Sequence, residues 1–142
     1  LREIRFRGKR VDNGGWVYGD LIQPQSLQYK GTKWISNTDN ANYGEKYPVI
    51  PETVGQFTGL HDKNNVPIYE GDVTTRINDN PICLSSGEKK YPSWIIDFQY
   101  GGWHFESNPA SPSISYPSFY SNAKYMEVIG NIHDNPEIKK AN

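Results

Sequence analysis

A chain of 142 residues fits a single domain, 1–142, and can bury a hydrophobic core without metal or disulfide support. Fifteen Lys and Arg against sixteen Asp and Glu give a formal net charge of −1, which argues against a dedicated polyanion binder with a marked basic excess. The lone cysteine, Cys83, excludes an intrachain disulfide and points to the reducing cytoplasm, while no apolar run reaches the roughly 18 residues of a membrane span.

The chain opens on alternation. Ile4 and Phe6 fall on one face of a strand and Arg5, Arg7 and Lys9 on the other, because successive side chains point oppositely. Asp12-Asn13-Gly14-Gly15 is a turn, and Trp16 to Ile22 is the returning strand of a hairpin. Leu1 to Arg10 lacks the apolar stretch of a signal peptide. A strand-like island follows at Lys33-Trp34-Ile35-Ser36, with Tyr29 to Thr32 offering a second hairpin turn, and Asn37–Tyr47 reads as a surface loop. Thr53 to Thr58 reads as a strand ended by Gly59, with Asp62-Lys63-Asn64-Asn65 as a polar turn. Gly71-Asp72 then leads into a strand over Val73–Ile77, the Gly taking an awkward backbone angle and the carboxylate bonding nearby amides.

The proline-bearing stretch Asn78–Pro92 reads as a variable loop. Trp94 to Tyr100 and Trp103 to Glu106 form the clearest hairpin, turning at Gly101-Gly102. Asn108–Ser121 is read as a further loop and Met126 to Ile132 as the last strand. Asn135-Pro136-Glu137 has the chemistry of a short helix start, Asn as cap and Pro at the first position. The expectation is a mainly β domain with at most one or two short helices, its twisted antiparallel hairpins forming a small barrel-like or half-open sandwich. Val54 to Asp62 and Val128 to Asp134 echo each other weakly, as two strands lying side by side would.

No residue set reads as catalytic, and neither a metal nor a cofactor is expected. His61-Asp62 and His133-Asp134 make a metal site only if their strands converge, and exposed turn residues explain them better. His104 stands apart from both pairs. Glu70 and Asp72 share a strand face by period two, yet nothing near them would push their pKa values apart. Cys83, flanked by Ile82 and Leu84, reads as a structural thiol. Neither a nucleophile elbow nor a phosphate-binding loop occurs. The basic stripe of Arg5, Arg7 and Lys9, with Trp16 and Tyr18 following, has the composition of a single-strand nucleic-acid track, although a solvated outer strand face explains it as well.

Ile50-Pro51-Glu52-Thr53-Val54-Gly55-Gln56-Phe57-Thr58-Gly59-Leu60 is distinctive. Together with the opening Arg2-Glu3-Ile4-Arg5-Phe6-Arg7, Asp62-Lys63-Asn64, Ile68-Tyr69-Glu70-Gly71-Asp72-Val73, Val128-Ile129-Gly130-Asn131-Ile132 and Asn135-Pro136-Glu137, it resembles the YopX family. The resemblance implies phage or prophage origin in a bacterial host, a β-rich fold and a small barrel-like element around Gly71-Asp72. It brings no catalytic residues with it. Pro51, Glu52, Gly55, Gln56, Gly59, Asp62, Tyr69, Glu70, Gly71, Asp72, Gly130, Asn131 and Pro136 are its signature positions, read as structural. Relatives commonly carry Lys and Tyr where His61 and His133 stand, and Gly where Asn65 stands, a position that Asn also tolerates. The reading is a non-enzymatic binding or assembly module with a protein partner or a second copy, nucleic acid being the alternative and a small enzyme or metal-binding protein the next. No membrane partner is expected.

Overall fold

A computed structural model describes residues 2–76, 82–83, 85–109 and 118–140. Its β-rich character matches the sequence reading, with strands arranged as antiparallel sheets. The chain divides into two compact units, Leu1–Gly59 and Leu60–Asn142. The larger sheet has the order β4 (Lys46–Val49), β3 (Lys33–Asn37), β2 (Trp16–Ile22), β1 (Phe6–Lys9), β5 (Gly55–His61), β6 (Pro67–Tyr69), and the smaller the order β11 (Gly102–Ser107), β10 (Ser93–Gln99), β7 (Asp72–Thr75), β12 (Glu127–Asn131). Among the described residues neither sheet closes into a barrel, and no helix is long and apolar enough to cross a membrane.

In the first unit β1 (Phe6–Lys9) and β2 (Trp16–Ile22) form the expected hairpin, Lys9 opposite Trp16 and Arg7 opposite Tyr18. β3 (Lys33–Asn37) pairs with β2, and β4 (Lys46–Val49) pairs with β3. β4 lies within and beyond the stretch read as a loop, its strand pattern hidden by Lys46 and Pro48. The sheet curls until Val49 bridges Arg10, with Val11 N–H donating to the Pro48 carbonyl at 3.0 Å and Ile50 N–H to that of Lys9 at 2.8 Å. Pro48 has no N–H to leave exposed on this edge. Inside the curl lie Val17, Ile35 and Val49, with Phe6, Leu21, Tyr47 and Val54 packed against them. Gly8 is small for a reason: a Cβ there would stand 3.0 Å from Val49 Cβ and 3.2 Å from Ile35 Cδ1. Around Gly71-Asp72 the described residues form an open four-stranded sheet, where a small barrel-like element was expected. A 3-10 turn at Pro51–Thr53 precedes β5 (Gly55–His61), which starts later and runs longer than the sequence suggests.

In the second unit β6 (Pro67–Tyr69) leads through a turn to β7 (Asp72–Thr75), an inner strand of the four-stranded sheet with all four residues buried. Residue 77, expected to end this strand, lies outside the described residues. β8 (Ile82–Cys83) and β9 (Lys89–Lys90) make a separate two-stranded ladder within the expected variable loop. β10 (Ser93–Gln99) and β11 (Gly102–Ser107) form the predicted hairpin. The turn, however, is Tyr100-Gly101, at φ 50° and 76°, because Gly102 is already paired with Gln99. Two positive φ angles are what a two-residue hairpin turn needs to match strand twist.

The stretch read as a loop to Ser121 ends in a short helix, α1 (Phe119–Asn122), whose Phe119 is buried. It joins a core of Ile68, Trp94, Ile96, Trp103, Phe105, Ala123 and Met126. Phe105 packs against Phe119 at 5.2 Å and against Trp94 at 6.0 Å between ring centroids. Each such side chain contributes roughly 1.5–3 kcal/mol by leaving water. β12 (Glu127–Asn131) pairs with β7 through a bulge between Val128 and Gly130, and α2 (Glu137–Lys140) follows Pro136. β5 and β12, which carry the echoing segments, belong to different sheets, so side-by-side pairing does not explain the echo.

Candidate functional site

The signature residues are consumed in building turns. Thr53 Oγ1 donates to the Ile50 carbonyl at 2.6 Å and accepts the Lys9 N–H at 2.9 Å, fixing the turn that holds Pro51 and Glu52. Gly55 sits opposite Arg7 and Gln56 opposite Phe6, while Gly59 takes a φ of 86° within β5. Asp62 is buried, and its carboxylate accepts three backbone N–H groups: Asn64 and Val66 on Oδ1 at 2.8 and 2.9 Å, and Val128 on Oδ2 at 2.9 Å. Asn65 holds φ 62° inside that turn, as its side-chain type permits.

The Tyr69-Glu70-Gly71-Asp72 turn is built the same way. Asp72 Oδ2 accepts the Tyr69 N–H at 2.8 Å, and Gly71, at φ 87°, donates to Ile96 and accepts from Ile132. Glu70 lies in this turn, between β6 and β7, and not on one strand face with Asp72 as period two implied. Asn131 accepts the His133 and Asp134 N–H groups on Oδ1 and donates Nδ2 to Asp134 Oδ2. Asn135 Oδ1 accepts the Asn131 N–H at 3.2 Å, so this side chain reaches back to β12 where helix capping was expected of it. A Cβ on Gly130 would lie 2.5 Å from Asn135 Oδ1, so a larger residue there would have to displace this side chain and its bond to Asn131. Pro136 then directly precedes α2.

No group of three or more His, Cys, Asp or Glu capable of holding a metal occurs among the described residues. Asp62 and Asp134, the carboxylates of the two His-Asp pairs, both face hydrogen-bond donors of the fold. Cys83 is exposed, not packed as a structural thiol, because its two-residue strand belongs to the separate ladder.

The structure does put Arg5, Arg7 and Lys9 on a face with aromatic rings. Arg7 lies 4.6 Å and Lys9 5.7 Å from the Trp16 ring centroid, and Arg5 lies 5.4 Å from that of Phe57. Arg7 is only 6% exposed, whereas Arg5 and Lys9 are half-buried. Arg10, outside this row, stacks 4.0 Å from Tyr47 and grips Asp12 at 2.6 and 2.9 Å. That bond raises the Arg10 pKa and lowers that of Asp12. Tyr47 donates to Glu45, which raises the phenol's pKa.

Sequence reasoning missed the aromatic tip of the β10–β11 hairpin. Tyr100 is 99% exposed and held at φ 50°, a region costly for an aromatic residue. Beside the turn, Phe98 is 51% exposed and rests edge-on against buried Trp103 at 5.0 Å. Tyr120, 62% exposed, accepts the Trp103 N–H on its hydroxyl at 3.2 Å, so α1 caps the outer edge of β11. The polar groups around the tip satisfy one another. Asp97 accepts from Phe98 N–H and Gln99 Nε2, and His104 Nε2 donates to the Gln99 carbonyl at 3.0 Å. The available signal was Tyr100 immediately before two glycines; the register that made it a turn residue was not readable.

The crystal structure of protein EF1440 from Enterococcus faecalis is similar to this chain, with a TM-score of 0.55 at 21% identity, over 97% of this chain and 99% of that one. At that identity the likeness is one of fold. No curated protein matches the chain. The YopX protein family model matches residues 5–139, a span that contains every signature position from Pro51 to Pro136, and the chain belongs to the YopX family.

Proposed function

We propose that this protein is a non-enzymatic binding or assembly module, of phage or prophage origin and working in the cytoplasm of a bacterial host, whose partner is another protein or a second copy of itself. One observation carries the reading. Tyr100 occupies a left-handed turn position that Gly or Asn would fill at lower cost, and presents almost its whole side chain to solvent. An outlier that costs stability points to a use elsewhere. Tyrosine is also a rigid residue that brings large contact area at low entropy cost to an interface. The mutually satisfied polar groups around the tip suit an apolar partner surface better than a hydrogen-bonding small ligand.

The test compares the wild-type chain with Tyr100→Gly and Phe98→Ser in sedimentation and in pull-down from phage-infected host extract. Wild-type association lost in both variants, with unchanged circular dichroism, is the expected result. A wild-type chain that stays an unaccompanied monomer overturns the reading.

The row of Arg5, Arg7 and Lys9 beside Trp16 supports a second reading, nucleic-acid binding. It predicts a gel shift with single-stranded DNA or RNA that fades steeply with salt and is lost in Arg5→Glu/Lys9→Glu. A shift unchanged by that double substitution sets the row aside.

A further inference from the structure

We infer that Asn13-Gly14, in the β1–β2 turn, is a site of spontaneous deamidation, a self-modification of the chain independent of any partner. It is the only Asn-Gly pair in the sequence. Three features of the turn favour the reaction. Asn13 and Gly14 are both exposed, so the leaving amide faces solvent. Gly15 N–H donates to Asn13 Oδ1 at 2.9 Å, which polarises the carboxamide carbon and holds the side chain over the following backbone. Gly14 has no side chain to hinder approach, and nothing lies within 4 Å of where its Cβ would be. The gate is the Gly14 N–H, which donates to the Arg10 carbonyl at 3.0 Å and must be released first.

Once freed and deprotonated by solvent base, the Gly14 nitrogen attacks Asn13 Cγ. The Cγ–Nδ2 bond breaks and ammonia leaves with the proton, closing a five-membered imide. Water then opens either carbonyl, giving aspartate or isoaspartate at position 13. Both products add a negative charge next to the Arg10–Asp12 pair. Isoaspartate also lengthens the main chain by a methylene, inside the ring closed by Gly14 N–H to Arg10 and Arg10 N–H to Gly15. The modified turn can no longer satisfy both bonds, and the pairing that starts at Lys9 and Trp16 loosens.

The experiment incubates the intact folded chain at mildly alkaline pH over days and maps it with trypsin. The peptide from Val11 to Lys30 carries Asn13 as its sole asparagine, so conversion reads out as an isoaspartyl signal together with a mass gain that fragmentation places at residue 13 and not at Gln23, Gln25 or Gln28. Asn13 is expected to convert ahead of Asn122, an asparagine followed by alanine. Conversion at Asn13 no faster than at Asn122 overturns the inference. Isoelectric focusing of Asn13→Ser gives an independent check: this variant should lose the acidic isoform that accumulates in the wild type. An undiminished acidic isoform in Asn13→Ser overturns it as well.

Discussion

The Asp62 carboxylate accepts the backbone N–H of Val128, 66 residues away, while its other oxygen holds the turn at Asn64 and Val66. One buried side chain thus ties a local turn to the last strand. The neighbouring Lys63 N–H bonds the Met126 carbonyl, and the Lys63 ammonium lies 3.4 Å from Glu127. Replacing Asp62 by Ala strands three donors. Hydrogen bonds to a charged group are worth about 1.5–3 kcal/mol, so Asp62→Ala should lower unfolding free energy by roughly 3 kcal/mol. Asp62→Asn keeps one good acceptor and should cost less. Urea titrations of the three proteins decide this, and equal midpoints for Asp62→Ala and wild type would remove the clamp from the account.

Gly19 is a second point where the backbone leaves no room. It pairs with Phe6 on one side and Asn37 on the other, and a Cβ built there lies 1.9 Å from the Ser36 carbonyl oxygen. Gly19→Ala has to push two strands apart and should cost on the order of 4 kcal/mol. Gly8→Ala meets the buried side chains of Val49 and Ile35 at 3.0 to 3.2 Å, with no backbone atom among them, and should cost about 1–3 kcal/mol as overpacking. Chemical denaturation that ranks Gly8→Ala as the worse of the two contradicts the geometry.

Much of this fold was legible because pattern and turn chemistry agreed. Trp16 to Ile22, Trp94 to Gln99 and Trp103 to Glu106 combine β-forming residues with glycine turns, and all became strands. β4 escaped notice because Lys46 and Pro48 erase its alternation, and a strand at the end of the sheet tolerates a Pro that donates no ladder hydrogen bond. Phe119 was hidden in a proline- and serine-rich stretch, where one buried aromatic carries no period. The shared face of Arg5, Arg7 and Lys9 followed from strand parity, but the burial of Arg7 depends on the register that brings Trp16 beside it. The Asp62–Val128 bond joins residues too far apart for any local rule to connect.

Arg7 and Arg5 should therefore behave differently. Arg7 is buried against Trp16, while Arg5 has a side chain about a quarter exposed and a 3.7 Å contact with Glu3. Arg7→Ala loses a desolvated cation–π contact and the packing of its stem, about 2 kcal/mol together. Arg5→Ala should stay within about 1 kcal/mol of wild type, as surface pairs do. Trp16 fluorescence should shift in the Arg7 variant and hold steady in the Arg5 variant; the reverse pattern would mean the stacking is misassigned.

Tyr47 offers a pH-dependent reading. Its hydrogen bond to Glu45 favours the neutral phenol, and its pKa is raised above the ordinary 10.0. A folded-state pKa above the unfolded one contributes stability that is present below pH 10.0 and lost as pH rises through the folded value. Glu45→Gln should move Tyr47 ionisation to lower pH, because the acceptor that holds the phenol proton loses its charge. The difference in tyrosinate absorbance with and without Tyr47→Phe isolates that phenol, and an unshifted Tyr47 curve in Glu45→Gln would dismiss the bond.

Tyr100 is the position where stability and use should part company. At φ 50° an L-residue with a Cβ costs about 1 kcal/mol relative to glycine, less when the residue is Asn. Its ring is 99% exposed and so returns almost nothing by burial. Tyr100→Gly should therefore raise the denaturation midpoint or leave it unchanged, despite removing a large aromatic side chain, and Tyr100→Asn should do the same. Replacement of Phe98, which packs on Trp103 at 5.0 Å, should by contrast lower it. A clear loss of stability in Tyr100→Gly would show that the ring contributes to the fold, and the case for it as a contact residue would lose its physical basis.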